Sequence, residues 1–530
     1  MKKKAHQEIK CNIELKYHSV GELLIEKANQ HPDKIFIICP GRNTDQCSYA
    51  EFLSSALIIA NHLSNSEIKK GDVVCFLFNN STEFLLFYFA CLLLGVVVVP
   101  INPDLSPPEI KYIIENSGSN RIYYQEYMFK KIDALKVILN KKIQTFAVFP
   151  FKQFKSSQFG KKGLSSEKLP KIDENNRAII IYTSGTTGKP KGVVLSHLNI
   201  ISDAYSISNW FKFSSNTRTL CILPLHHNNA QITTLMAPLY KGGSTVIVKG
   251  STSISAFWEL VLKYQITWTS VMASILSILL SLKTDRKDDS LIGILCGGQI
   301  LSTSVQNQFE ERFKVPIYEG YGLTETTSFS CINNYPKNLR MKGSIGRPLP
   351  SNLMSIVNED GKVCDPFEEG EIRIKGLNVA EEYLSMPEAN KASFKDDWFY
   401  SGDFGYKDNK GYYYFKCRKD SLIIKGGENI FPAEVENVLF QHEDIDECAV
   451  IGIEDEFLGQ NICAFVKVSE NSRIDISEIL DFCKERLSSY KLPKKIIIIN
   501  NLAEFDEIPK GPTKKILYRV LEEHYKSLNN

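Results

Sequence analysis

Tyr182-Thr183-Ser184-Gly185-Thr186-Thr187-Gly188-Lys189-Pro190-Lys191-Gly192 holds three glycines, four aliphatic hydroxyls and two lysines in eleven residues. The apolar run Ala178-Ile179-Ile180-Ile181 precedes it and Val193-Val194-Leu195 follows. That pattern predicts a polar loop between two buried strands. Glycines let backbone approach a ligand closely. Successive N–H groups, hydroxyls and ammonium groups suit a polyphosphate. It is not a Walker A loop: two residues separate Gly185 from Gly188-Lys189 where that motif has four, and Pro190 takes its Ser/Thr position.

Working outward, strand and helix patterns alternate on both sides of this loop. Val20 to Glu26 and Ser48 to Ser64 read as helices, with Ser48 as N-cap, and Val73 to Phe78 as a buried strand. Thr245 to Val248, Ala256 to Tyr264 and Leu291 to Leu295 continue as strand, helix, strand. The order predicts an α/β fold, a sheet with helices on both faces. Phe84 to Val99 is uncharged but only sixteen residues long, short of the roughly twenty that a membrane helix needs. Gly95 divides it into a buried helix and a strand ending at Pro100. From about residue 350 the strands shorten. After Lys416-Cys417-Arg418-Lys419-Asp420 comes a unit of its own: helix Pro432 to Phe440, strands Cys448 to Ile451 and Ile462 to Val468, helix Ile476 to Leu487 with Asp475 as N-cap, and strand Ile496 to Ile499.

Composition limits the partners. With 530 residues, 43% of them hydrophobic, the chain has material for more than one core. A net charge of +2 gives no global field for nucleic acid or anionic membrane. Eleven lysines against two acids between Lys130 and Lys171 read as a solvated connector or, more sharply, as a docking patch for an acidic partner. Thirteen scattered cysteines, with no C-x-x-C, read as reduced thiols of a cytoplasmic protein. Met1-Lys2-Lys3-Lys4-Ala5-His6-Gln7-Glu8 has no apolar region behind it, so no signal peptide is expected.

Three further motifs follow at intervals. Tyr318-Glu319-Gly320-Tyr321-Gly322-Leu323-Thr324-Glu325-Thr326 offers an aromatic face, a hydroxyl and a carboxylate beside glycines. Trp398-Phe399-Tyr400-Ser401-Gly402-Asp403 brings an acid whose two oxygens match a pair of hydroxyls. Ile508-Pro509-Lys510-Gly511-Pro512-Thr513-Lys514-Lys515-Ile516 is a lysine-rich loop. Taken in order, these motifs resemble the adenylate-forming superfamily of acyl-CoA synthetases, luciferases and peptide-synthetase adenylation domains, over roughly residues 20 to 520. Leu223-Pro224-Leu225-His226-His227, then Gln231 and Ala256-Phe257-Trp258, are most like stand-alone synthetases of the carnitine-CoA ligase type.

The resemblance implies a large N-terminal domain of layered α/β sheets, residues 1–418, and a small C-terminal α+β domain, residues 419–530, that rotates on a hinge at Asp420. It implies two reactions: a carboxylate attacks the α-phosphate of ATP, giving acyl-AMP and pyrophosphate, and a thiol then displaces AMP. ATP, Mg2+ and coenzyme A are the implied cofactors and acceptor. A carrier-protein phosphopantetheine is the alternative acceptor, and a non-catalytic nucleotide-binding relative the alternative to an enzyme.

Site residues follow by position. Thr183, Ser184, Gly185, Thr186, Thr187, Gly188 and Lys189 would hold the β- and γ-phosphates, with Lys191 either assisting or facing solvent. Gly298 and Gln299, after Gly297, would edge the adenine and Tyr321 stack on it. Thr324 would meet the α-phosphate and Glu325 the Mg2+. Asp403 would take the ribose hydroxyls, with Arg418 reaching ribose or phosphate. Gly426 and Gly427 would line the path of the thiol. Lys515 would be the catalytic lysine, bridging carboxylate and α-phosphate; the family has glycine before it, where this chain has Lys514. The acyl pocket would comprise His227, Asn229, Gln231 and Met272. Amino-acid-activating relatives place an aspartate in this region, where this chain has Asn228 and Asn229. A small or medium, partly polar carboxylic acid is therefore expected.

Overall fold

The computed structural model describes residues 13–41, 45–139, 143–149, 163–183, 190–249, 254–469, 472, 474–502, 504–510 and 516–528. The chain forms two compact units. One comprises Met1–Leu301, Val305–Met354 and Ile374–Tyr400; the other Ser302–Ser304, Ser355–Arg373 and Ser401–Asn530. The last crossing of the chain into the second unit is at Ser401.

Two large sheets organise the first unit. A seven-stranded sheet runs in spatial order 382–383, 191–196, 177–183, 97–101, 73–77, 121–125, 144–148. A nine-stranded sheet runs 347–348, 331–332, 317–321, 293–296, 268–271, 218–221, 244–247, 35–39, 45–48. Most neighbours in both are parallel, which demands cover on both faces. Helix Thr82–Leu94 is buried along its whole length. Phe87 packs at 6.2 Å on Phe76 of the first sheet, and Phe89 at 6.3 Å on Phe36 of the second. This helix is the filling between the two sheets, and each buried phenylalanine contributes about 2 kcal/mol. Gly95, at φ 67°, ends the helix and turns the chain into strand Val97–Ile101. The strand continues through Pro100, opposite Phe76. One missing N–H at the end of a strand costs a single ladder bond, so proline did not stop it.

Local signals place the other elements. Helix Tyr49–Asn65 begins at a capping box, Glu51 N donating to Ser48 Oγ and Ser48 N to Glu51 Oε2. In the second unit, helix Ile476–Lys484 begins the same way from Asp475 and Glu478. That unit holds a five-stranded sheet in which 428–430, 423–425, 459–468 and 445–455 follow in order and 495–498 pairs with 459–468. Helix Pro432–Leu439 packs on strand Ile445–Asp455.

Candidate active site

Strands Arg177–Thr183 and Lys191–Ser196 pair antiparallel, with Tyr182 opposite Gly192 and Thr183 opposite Lys191. The two described ends of the opening motif are therefore held side by side by paired strands. Its ends are held: Tyr182 donates its hydroxyl to Asn116 Oδ1 at 2.7 Å, and Tyr112 donates to Pro190 O at 3.1 Å. Thr183 is half-buried at the strand end. Ser184, Gly185, Thr186, Thr187, Gly188 and Lys189 lie outside the described residues. Lys191 sits with its ammonium 4.7 Å from the centroid of the Tyr383 ring.

The second motif continues a strand, Ile317–Tyr321, before it turns. Gly322 is dictated by close approach, since a Cβ there would lie 1.5 Å from Ser328 O. A single 3-10 turn, Thr324–Thr326, leads to Thr327 at φ 65° and ψ −61°. Ser328 N donates back to Thr326 O at 2.7 Å. This is a γ-turn of the strained hand, at a β-branched residue. Asn378 clamps it from the outside, donating to Thr326 O at 2.9 Å and Phe329 O at 3.2 Å and accepting at its own carbonyl from Thr327 Oγ1 at 2.6 Å. Beneath it, burial pushes the carboxyl of Asp203 well above the ordinary carboxylate range, opposed in part by the Asn378 amide and the N–H groups of Ser328 and Phe329. Glu319, one strand residue before Gly320, is likewise pushed up to about 8 by burial.

Glu325 is buried and fixed twice. Ala380 N donates to its carbonyl at 2.7 Å, and Tyr383 donates its hydroxyl to Oε1, also at 2.7 Å. The segment Gly297-Gly298-Gln299 leaves the strand beside this motif, in which Cys296 pairs with Glu319. Gln299 Oε1 accepts from Ser274 N at 3.2 Å. That bond ties the turn to helix Ala273–Ser281, which begins right after the half-buried Met272.

The expected acyl side joins the same region. Asn80 holds the Leu-Pro-Leu segment, donating to Leu223 O at 2.9 Å and accepting from Leu225 N at 2.7 Å. The rings of His226 and His227 lie 4.4 Å apart. Burial, with a smaller effect of His227, holds His226 well below the usual imidazole range. Asn228 Nδ2 donates to Thr324 O at 3.3 Å, linking this segment to the 318–326 motif. Asn229 Oδ1 accepts from Ser270 Oγ at 2.6 Å and Thr233 Oγ1 at 2.9 Å. Gln231 is fully buried and its amide is committed at both ends, to Tyr88 Oη at 2.8 Å and Leu225 O at 2.7 Å. It braces the segment that carries His227. A π-helical turn, Ile232–Met236, follows directly.

In the second unit, Asp403 and Arg418 stand opposite each other on paired strands, with Arg418 Nε 3.2 Å from Asp403 Oδ1. Asp403 is 2% exposed. Asp420 lies 3.9 Å from Arg418 Nε, in the 3-10 turn Lys419–Ser421. Gly426 and Gly427, at φ 60° and 87°, are the two-residue tip of hairpin Ile423–Lys425/Glu428–Ile430, and a tip with both residues at positive φ is where glycine is favoured. Lys515 lies outside the described residues. The ends of its loop are joined by the bridge between Lys510 and Ile516 and by Leu517 N donating to Pro509 O at 2.8 Å.

Tyr383, Asn378, Asp203 and Asn80 were not singled out by the sequence. Their partners lie tens to hundreds of residues away, so no local spacing marks them. Among the described residues no group of three or more His, Cys, Asp or Glu could hold a metal ion. The single buried carboxylate of Glu325 suits a cation that keeps substrate phosphates and water as its other ligands, as Mg2+ does.

Comparison with known proteins places the chain in a family. A family model described as AMP-binding enzyme matches residues 24–384, and one described as AMP-binding enzyme C-terminal domain matches residues 434–505. 2-Succinylbenzoate–CoA ligase of Bacillus subtilis (strain 168) is 32% identical over 500 residues, 94% of this chain and 97% of the relative. Oxalate–CoA ligase of Arabidopsis thaliana is 29% identical over 515 residues, 96% of this chain and 98% of the relative. The solved structure of o-succinylbenzoate CoA synthetase from Bacillus subtilis with its acyl-adenylate intermediate matches at a TM-score of 0.83 and 31% identity, covering 94% of this chain and 97% of that one. The same synthetase with ATP and magnesium ion matches at 0.82 and 31%, covering 94% and 98%. By sequence and by fold, across nearly its whole length, the chain belongs to the AMP-binding enzyme family.

Proposed function

We propose that the residues described above divide between them the two half-reactions of an AMP-forming acid–thiol ligase. The chain uses ATP and Mg2+ to activate a carboxylic acid and passes the acyl group to coenzyme A. In the first half-reaction a carboxylate oxygen bonds to the α-phosphorus, the bond from that phosphorus to the bridging oxygen breaks, and pyrophosphate leaves. In the second the thiolate sulfur bonds to the acyl carbon and the acyl–phosphate bond breaks, releasing AMP. An anion must approach a polyanion, so donors and cations have to be in place beforehand.

On this reading Thr183 to Lys189 donate to the β- and γ-phosphates, and Thr324 to the α-phosphate. Tyr321 stacks on adenine beside Gly298 and Gln299. Asp403, held by Arg418, accepts from the ribose hydroxyls. Glu325 would hold the Mg2+, which supplies neutralising charge on the phosphates. Lys515 bridges the carboxylate and the α-phosphate, and positioning supplies most of the rest. The chain pivots at Asp420, between domains 1–418 and 419–530, and Gly426 and Gly427 then face the thiol.

His227, Asn229 and Met272 line the acid, with Gln231 behind them. The acid is small or medium and partly polar, without an α-amino group, since amides stand where an ammonium would need a carboxylate. Free coenzyme A, rather than carrier-bound phosphopantetheine, is the acceptor, because the relatives are named as CoA ligases. The cytoplasm is the compartment that suits free buried thiols such as Cys91, Cys221 and Cys296.

The observation that supports the reading most is the segment 376–384. It binds Glu325 through Ala380 and Tyr383, and Gly192, at the exit of the phosphate loop, through Leu384 N to Gly192 O at 2.7 Å. A panel of carboxylic acids, assayed for pyrophosphate release with and without coenzyme A, tests it. One acid class should turn over with coenzyme A. Turnover of amino acids alone would overturn the substrate reading.

A further inference from the structure

Tyr383 joins two parts of the site that are far apart in sequence. Its backbone pairs with Val193 on the exit strand of the phosphate loop. Its hydroxyl donates to Glu325 Oε1 at 2.7 Å. The side chain is 3% exposed, with Phe394 at 5.5 Å on one side and the Lys191 ammonium 4.7 Å from the ring centroid. A phenol buried only for packing needs no such partner on each side.

We propose that Tyr383 is a positioning residue for adenylation: its hydroxyl occupies one oxygen of Glu325, leaving the other for the nucleotide's metal ion, and Lys191 strengthens that bond through the ring. The proposal rests on the reading of Glu325 as the metal-holding carboxylate. Three physical points carry it. An O–H to carboxylate bond of this length is charge-assisted and is among the stronger neutral-to-ion hydrogen bonds. A cation over the ring face draws electron density from the ring, making the phenol a better donor. Mg2+ tolerates little departure from octahedral geometry, so a carboxylate restricted to one oxygen is better suited to it than one free to turn both oxygens inward. Partners of metal-holding groups typically set metal affinity by roughly 10- to 100-fold.

The arrangement also gives Lys191 a task distinct from direct phosphate contact. Ala380 N and Asn378 fix the backbone of the Glu325 loop, and Tyr383 fixes its carboxylate. The segment 376–384 thereby ties strand Lys191–Ser196 to the carboxylate.

The full chain, titrated with Mn2+ beside a non-hydrolysable α,β-methylene ATP, tests this through the electron paramagnetic resonance signal of free Mn2+. Tyr383→Phe should bind Mn2+ about tenfold more weakly, and Lys191→Met about threefold more weakly. Binding of the analogue in EDTA should be unchanged for Tyr383→Phe, and its melting temperature should stay within a few degrees. Glu325→Gln, run in parallel, should lose the Mn2+ site. If Glu325→Gln loses it and Tyr383→Phe titrates like the unaltered chain, the positioning role is overturned alone. If Glu325→Gln also titrates like the unaltered chain, the metal reading fails and the proposal with it. Should Tyr383→Phe not fold, Lys191→Met decides: a threefold loss supports the proposal and an unchanged affinity overturns it.

Discussion

On the proposed reading, single residues carry the charge of this reaction and their roles separate by half-reaction. Lys515→Ala is expected to cut acid-dependent pyrophosphate exchange by about 10²-fold or more, the scale of losing one preorganised charge stabiliser. Thioester formation from synthetic acyl-AMP should survive. Unchanged exchange in the variant would remove Lys515 from the first step and leave Lys514 or Lys510 to be tested. Residue-level chemistry was partly legible in the sequence. Thr324, Glu325 and Asp403 stand out as candidates because hydroxyl and carboxylate types sit beside glycines in short motifs. Gln231 read equally well as a pocket residue, yet its amide is taken by Tyr88 and Leu225. Tyr383 could not be read at all: its meaning depends on Glu325, 58 positions away.

At the scale of elements, the site depends on a strained turn and the segment that restrains it. Asn378→Ala removes two donated bonds to carbonyls that are buried beside Thr327. The expected cost is about 1–3 kcal/mol for the unsatisfied partners, read as a lower urea midpoint, with adenylation falling further than stability alone explains. A variant as stable and active as the parent would show that the γ-turn needs no clamp. A second element has a pH signature. In the second unit, Glu436 on helix Pro432–Leu439 accepts from Val450 N at 2.9 Å and Tyr518 Oη at 3.1 Å, and burial raises it from 4.5 to about 7. Its neutral form therefore stabilises the fold fully below pH 4.5, and that contribution, about 3 kcal/mol, is lost as pH rises through 7. Glu436→Gln should flatten this slope, measured by hydrogen exchange of strand Ile445–Asp455 between pH 4.5 and 7.5. Equal slopes in both proteins would contradict it. Periodicity and caps made most elements legible, as at Ser48 and Asp475. Boundaries slipped where packing overrode local signals: the strand expected at Leu291 to Leu295 runs Gly293–Cys296, and Pro100 lies inside a strand.

On the scale of the whole molecule, one chain performs two reactions with one set of bound substrates. If Asp420 is the pivot, fixing its backbone should separate them. Asp420→Pro locks φ near −65°. It should keep pyrophosphate exchange within a few-fold while slowing thioester formation by about 10²-fold, measured in single turnovers of each half-reaction. Equal loss of both would remove the pivot from Asp420. A second unit was legible from the change to short strands after residue 350, whereas its earlier pieces, Ser302–Ser304 and Ser355–Arg373, join it only through folding. The acid was not legible, because the side chains that would line its proposed pocket, Asn229 and Met272 among them, meet only after folding. The identity of the nucleotide product, with purified protein, ATP, an accepted acid and coenzyme A, tests the central claim most directly. Attack at the innermost phosphorus predicts AMP and pyrophosphate in step with acyl-CoA, and acyl-AMP when coenzyme A is withheld. ADP and phosphate, or AMP formed without regard to the acid, would contradict it.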